Sequence, residues 1–223
     1  MASVPASRGR PPGLTGDDLI AVARDVFLER GFRGASMDEV ARRARISKAS
    51  LYREHTSKSA LYAAVVRHWV SAGRNAMRPA LELLRGSADV RAGLLGLAAT
   101  MRAGILSPPV LAMRRLVTAE AAEQPAVART YLEESWNANI RALAETLRAI
   151  AAEGRLRIDD PQAAAEQFTW LIIGAPLNAR LLAAPDDADA DADDAGAVDL
   201  FLAAYGAGRA GERDATTRRA ERG

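Results

Sequence analysis

Apolar residues recur at helical spacing along almost the whole chain, and almost nothing alternates as a strand would. Leu19, Ile20, Ala23 and Phe27 mark an amphipathic helix that closes at Glu29-Arg30-Gly31-Phe32, with Gly31 suited to a left-handed cap. The stretch between Ser36 and Lys58, SMDEVARRARISKASLYREHTSK, predicts two short helices. Ser36 and Glu39 form an S-x-x-E capping box that satisfies free backbone N–H groups. Val40, Ala41 and Ala44 give the first helix its apolar stripe. A turn through Arg45 and Ile46 follows, and Ser47 is placed to cap a second helix from Lys48 to Glu54. Two such helices joined by a three- to four-residue turn are the unit that lays its second helix in the DNA major groove.

Further helices follow. One runs from Lys58 through Trp69 toward Arg78, where Pro79 should kink or break it. Another spans about Asp89 to Leu106, with Leu94, Ala98, Met101 and Ile105 on one face, and stops at Ser107-Pro108-Pro109. Val110 to Ala122 makes the next, and Pro125 opens a long one through Val127, Tyr131, Leu132, Ile140, Leu143, Leu147 and Ile150 to Glu153-Gly154. Asp160-Pro161 reads as an N-cap with an N1 proline, starting a helix through Leu182. Val198, Phe201, Leu202 and Tyr205 define a last short helix.

The pattern predicts an all-α chain. Residues 1–13, rich in Pro, Gly and Ser, read as a flexible basic arm whose Arg8 and Arg10 could brush DNA. Residues 14–60 read as a three-helix helix–turn–helix DNA-binding domain. Residues 61–208 read as a helical bundle large enough to hold a cavity and carrying apolar stripes that could pair two chains, interrupted by an acidic low-complexity loop at 186–196, and 209–223 as a disordered charged tail.

Composition narrows the function classes. The 223 residues are 49% hydrophobic and hold no cysteine, which excludes disulfides and thiolate metal sites. No apolar run reaches membrane length and the N-terminus lacks a hydrophobic signal core, so the expected location is cytoplasmic, with no membrane partner. The net charge of +2 hides a polarity. Residues 1–60 carry eleven Lys/Arg against seven Asp/Glu, whereas 183–200 hold seven acids and no base. Both lysines of the chain, Lys48 and Lys58, lie in the helix–turn–helix region. The two histidines, His55 and His68, sit in no metal-ligand spacing, and no G-x-S-x-G or Gly-rich phosphate loop occurs. No enzyme activity, cofactor or metal is expected.

Ala23, Val26, Phe27, Gly31, Phe32, Ser36, Val40, Ala41, Ala44, Ser47, Leu51, Tyr52, Ser57, Lys58 and Leu61 match the pattern of the TetR family of bacterial transcriptional regulators, and residues 15–70 resemble that family's DNA-binding domain. The stretch from Arg114 to Gly206 also resembles the C-terminal domain of many AcrR-like members. Two departures stand out: Arg45 replaces the usual turn glycine, and Glu54-His55 replace the usual histidine and phenylalanine. A residue with a Cβ in a left-handed turn costs about 1 kcal/mol or more.

The recognition helix offers Lys48 to guanine O6 or N7, Ser50 to several base edges and Ala49 as a methyl. The resemblance implies that Tyr52 donates to a phosphate and that Lys58 holds another. A cation at a helix N-terminus opposes the macrodipole, but with free N–H groups and a phosphate it completes an anion site. Ser36, Arg45, Ser47 and Arg53 complete the predicted DNA-binding set. One or two of Arg42, Arg43, Arg45 and Arg53 should touch DNA, and His55 either bonds a phosphate or fills the plug position.

The candidate effector pocket draws on Trp69, Met101, Met113, Tyr131, Trp136 and Trp170, with Asn137, Gln167 and Asn178 as hydrogen-bond partners. Phe168, Leu171, Ile172, Ala175, Ala179 and Leu182, with Gly174 allowing close approach, form an apolar stripe joined by Val198, Phe201, Leu202 and Tyr205. Pairing with the same helices of a second chain would bury roughly 2,000 Å² or more in total. The implied function is a homodimeric repressor, released from a palindromic operator by a small-molecule effector. The alternative is a ligand-insensitive or protein-responsive DNA binder whose C-terminal domain only dimerises.

Overall fold

The structure is a computed structural model that describes residues 14–182 and 194–207. The predicted arm (1–13), most of the acidic loop and the tail (209–223) lie outside the described residues. The described residues are helical: α1 Gly16–Gly34, α2 Met37–Arg43, α3 Lys48–Glu54, α4 Lys58–Gly73, α5 Arg78–Gly86, α6 Val90–Ile105, α7 Pro108–Ala119, α8 Pro125–Tyr131, α9 Ala138–Ala152, α10 Pro161–Leu182 and α11 Asp194–Tyr205. Sequence punctuation accounts for most boundaries. Gly31 adopts φ +67° and interrupts α1. Pro79 sits in the first turn of α5. Asp89 Oδ1 accepts from the N–H groups of Arg91 and Ala92, and Asp160 Oδ1 from those of Gln162 and Ala163.

One element escapes the sequence pattern. The expected single helix from Pro125 to Ala152 is broken by a π-helical turn at Leu132–Asn137. Asn137 Nδ2 donates to Glu133 Oε1 and Arg141 Nη2 to the Glu133 carbonyl, so side chains support the widened backbone.

The chain divides into two compact units. The first holds the described residues up to Ser71 together with Leu116–Ala128, further along α4 than a boundary at residue 60. Its core contains Leu19, Ala23, Val26, Phe27, Val40, Leu51, Leu61, Tyr62 and Val66, all buried. Phe27 and Tyr62 meet edge to face at 5.3 Å. The second unit, Ala72–Arg115 and the described residues from Arg129 onward, is centred on Leu84, Leu94, Leu97, Leu143, Leu147, Ile150, Phe168, Ile172, Val198 and Phe201. Helix α10 continues through Pro176. Pro176 has no N–H, which leaves the Ile172 carbonyl without its helical donor, and Arg102 Nη1 donates to that carbonyl at 3.3 Å.

Candidate nucleic-acid interface

Three serines start the helices of the DNA-binding region. Ser36 Oγ accepts from Glu39 N–H at 3.2 Å, Ser47 Oγ from Ser50 N–H at 3.0 Å, and Ser57 Oγ from Ala60 N–H at 3.1 Å. Between α2 and α3 the turn is closed by Arg45 N–H donating to Arg42 O and Ile46 N–H to Ala41 O. Arg45 does occupy the left-handed position, with φ +60°, and is the one described non-glycine residue with positive φ. Leu51 is fully buried and fixes the inner face of α3, leaving Ser47, Lys48, Ala49, Tyr52 and Arg53 exposed and Ser50 half-buried.

Carboxylates sort the cations of this region. Glu39 binds Arg42 and Arg43, and Glu29 holds Arg43 through two bonds of 2.8 and 2.7 Å. These guanidiniums hold both carboxyls below their ordinary range. Arg42 and Arg43 are thus engaged in ion pairs within this region, while among the described residues Arg45 shows no ion pair and Arg53 has a 3.4 Å bond to Ser50 Oγ. Lys48 Nζ lies 2.7 Å from Asp38 Oδ1, a contact that crosses from α2 to α3.

Lys58 is more committed than expected. Its ammonium donates to the carbonyls of Arg33 (3.3 Å) and Ala35 (3.1 Å) and lies 4.7 Å from the Phe32 ring centre. It ties the end of α1 to the start of α4, with one N–H left for a further acceptor. His55 is half-buried, and desolvation lowers its pKa from the ordinary imidazole value, which disfavours the charged form. Tyr62, behind this layer, is pushed up to about 12 by burial and by the Glu120 carboxylate.

The predicted effector residues do not share one environment. Trp69 belongs to the first unit and is half-buried. In the second unit Met101, Met113 and Tyr131 are buried. Trp136, on the π-turn, stacks under the Arg114 guanidinium at 4.7 Å and meets Trp170 at 5.5 Å. Gln167, Trp170, Asn178 and Asn137 are partly or largely exposed, and Gln167 Oε1 accepts from the Tyr205 hydroxyl at 2.7 Å. Gln167 and Trp170 line an open groove of about 480 Å³ with Leu171, Leu200, Phe201, Ala204 and Tyr205, on α10 and α11 rather than in the bundle interior. A second groove, of about 510 Å³ between α5 and α6, contains none of the predicted residues. Among the described residues no cluster of His, Asp or Glu could hold a metal.

The predicted dimer stripe divides as well. Phe168, Ile172, Val198 and Phe201 are core residues of the single chain and have no area left to bury against a second one. Leu171, Ala175, Ala179 and Leu182 are exposed, Leu202 and Tyr205 half-buried. Trp170 (53%) and Leu200 (60%) are exposed on the same two helices, outside the predicted stripe. Gly174 makes room for the Trp170 indole, since a Cβ there would meet Cε3 at 3.2 Å.

Two family descriptions match the chain. "Bacterial regulatory proteins, tetR family" covers residues 19–65, and "AefR-like transcriptional repressor, C-terminal domain" covers residues 92–207. The chain belongs to the TetR family of transcriptional regulators. A TetR-family regulator from Mesorhizobium loti superposes with a TM-score of 0.77 at 25% identity, over 85% of this chain and 96% of that one. The Flavonoid-responsive Regulator FrrA has a TM-score of 0.66 and 30% identity over 87% of this chain and 97% of its own. The HTH-type transcriptional activator FasR of Mycolicibacterium smegmatis is 43% identical over 63 residues, 28% of this chain and 29% of that protein. The chain thus spans under a third of the curated relatives it matches.

As a TetR-family regulator the protein is DNA-binding, with a helix–turn–helix domain and a helical C-terminal domain. Among the described residues no single helix is long and apolar enough to cross a membrane. Sequence reasoning missed Asp38 beside Lys48 and Leu200 beside Trp170. The first carried a signal, an acid in the first turn of α2 next to a basic α3. The second carried none, because α11 is apolar on several faces.

Proposed function

We propose that this TetR-family chain is a homodimeric repressor that reads a palindromic operator with α3 and leaves it when a small molecule binds the C-terminal domain. The observation that carries the DNA reading is the capped α2–α3 pair around the strained Arg45 turn, with Lys48, Ala49 and Tyr52 on its open side. Lys48, Ala49 and Ser50 read base edges, with Ser36 and Ser47 beside them; Tyr52, Arg45, Arg53 and Lys58 act on phosphates. Two α3 helices must sit one helical turn of DNA apart, about 34–36 Å, to enter successive major grooves.

A two-fold pairing of α10 and α11 would bring two chains, and so two α3 helices, together. Trp170, Leu171, Leu182 and Leu200 are exposed large apolar side chains on these helices, and covering them in a second copy gains hydrophobic free energy. The sign of regulation rests on the description of the matched C-terminal domain, which is of repressors; the likeness to FasR, an activator by name, covers too little of either chain to set it. FrrA is by name flavonoid-responsive, and an aromatic effector suits a site near Tyr131, Trp136 and Arg114, beside the π-turn. An effector can shift the equilibrium only through different affinities for the DNA-bound and free states.

The test is a mobility-shift titration with the DNA upstream of the protein's own gene against random DNA, repeated with planar aromatic compounds. Tight binding to the first alone, reversed by one of the compounds, is expected. Equal affinity for both DNAs contradicts the operator reading, and release by none of the compounds contradicts the effector reading.

A further inference from the structure

Lys48 is the cation that α3 presents to base edges, yet it is not a free charge. Its ammonium lies 2.7 Å from Asp38 Oδ1, and both side chains are largely exposed, at 59% and 67%. Asp38 stands in the first turn of α2 beside Glu39, whose carboxylate is already occupied by Arg42 and Arg43. Of these two neighbouring acids, one is spent on structure and the other reaches across the turn to the reading helix. Wherever Lys48 Nζ goes in its present rotamer, a carboxylate goes with it.

We propose that Asp38 is a specificity-determining residue that works through Lys48. An untethered lysine is a point charge on a flexible stem and finds a phosphate on any duplex. That contact releases counterions and strengthens binding without regard to sequence. Paired with Asp38, the ammonium keeps its charge, but the two groups together present no net charge to a phosphate. Its donors remain, however. An ammonium has three N–H groups, and one on Asp38 leaves two, the number that the N7 and O6 acceptors of guanine require. The pair therefore weakens binding to indifferent DNA while retaining the hydrogen bonds that read a guanine. It also orients them, because a tethered ammonium is ordered before it meets the groove.

The inference rests on the operator reading, and the experiment separates the two. Wild-type protein selects duplexes from a random library; the enriched duplex and a shuffled duplex of equal composition are then titrated with wild type and Asp38→Asn over a range of salt. Asp38→Asn is expected to bind the shuffled duplex up to about fivefold more tightly per half-site, the span of an exposed ion pair. The enriched duplex should gain less, so discrimination falls, and the salt slope on shuffled DNA should steepen by about 1 per half-site. In a Lys48→Ala background the effect of Asp38→Asn should vanish. Equal gains on both duplexes, or a gain that persists without Lys48, would show simple charge repulsion and overturn the proposal, as would no change. Thermal melting monitors folding, and Asp38→Ser, whose short polar side chain suits a first helical turn, replaces a variant that does not fold. If the wild type enriches no sequence, the operator reading fails, while the salt slope on shuffled DNA still decides whether Asp38 shields Lys48.

Discussion

Around the turn between α2 and α3, the caps and the Glu39 ion pairs follow from positions in the sequence; along α10 and α11 the partners do not. Ser36 and Ser47 cap the helices they precede, and Glu39 meets Arg42 and Arg43 at three and four residues' distance. Helix α10 instead carries apolar residues on several faces. Phe168 and Ile172 turned inward while Trp170 and Leu171, their immediate neighbours, stayed exposed. Local chemistry decides the first region and tertiary packing the second. The proposed function is divided the same way: a short-range polar surface for DNA, and a face proposed to pair with a second chain.

The largest expected effect tests the second region. Trp170→Asp with Leu200→Asp should convert a dimer to monomers in sedimentation and lower operator affinity by about 100-fold or more, the loss of a linked second half-site. Monomer melting should fall only by the loss of the Trp136–Trp170 contact, about 0.5–1.5 kcal/mol, since both residues are largely exposed. Phe168→Ala should do the reverse. It empties a fully buried aromatic site and should cost about 3–5 kcal/mol in denaturant unfolding, with any loss of dimer following from loss of fold. Equal effects of the two changes would erase the distinction between core and outer face.

Smaller effects sharpen the first region. Lys48→Ala should cost about 1–3 kcal/mol of operator binding and relax preference at one position. Lys58→Ala should weaken binding on every sequence and lower the salt slope by about 1 per half-site. It should also lower the melting temperature, because two carbonyls lose their donor. Arg45→Gly should stabilise the fold by about 1 kcal/mol, some 2–4 °C in melting temperature, by relieving the φ +60° strain. It should weaken DNA binding if the guanidinium meets a phosphate. The smallest effect is one of pH. Burial holds His55 below the usual imidazole value of 6.5, so the unfolded chain takes a proton before the folded one does. Stability should fall as pH drops below about 6.5 and level off once the folded imidazole is protonated. His55→Phe should flatten that part of the profile.

The helices and their caps were legible because Ser36, Ser47, Asp89, Asp160, Pro79 and Gly31 act through their own backbone neighbourhoods. The left-handed turn at Arg45 was legible from its place in the motif even without a glycine. The π-turn at 132–137 was not, since Leu132 and Trp136 continue an ordinary helical pattern and the widening is held by Glu133, Asn137 and Arg141. Nor was the role of Lys58, whose acceptors lie 23 and 25 residues upstream. The predicted effector residues lie in different environments, because Trp170 and Gln167 line the outer groove while Met101 and Met113 fill the interior. A large side chain on an apolar helix does not say which side it faces.

Operator recognition as proposed needs two α3 helices on one DNA site. Native mass spectrometry of the protein with its selected duplex measures this directly. The expected result is a complex of two chains per duplex, with no stable complex holding one. A single chain bound tightly and sequence-specifically to a half-site would contradict it.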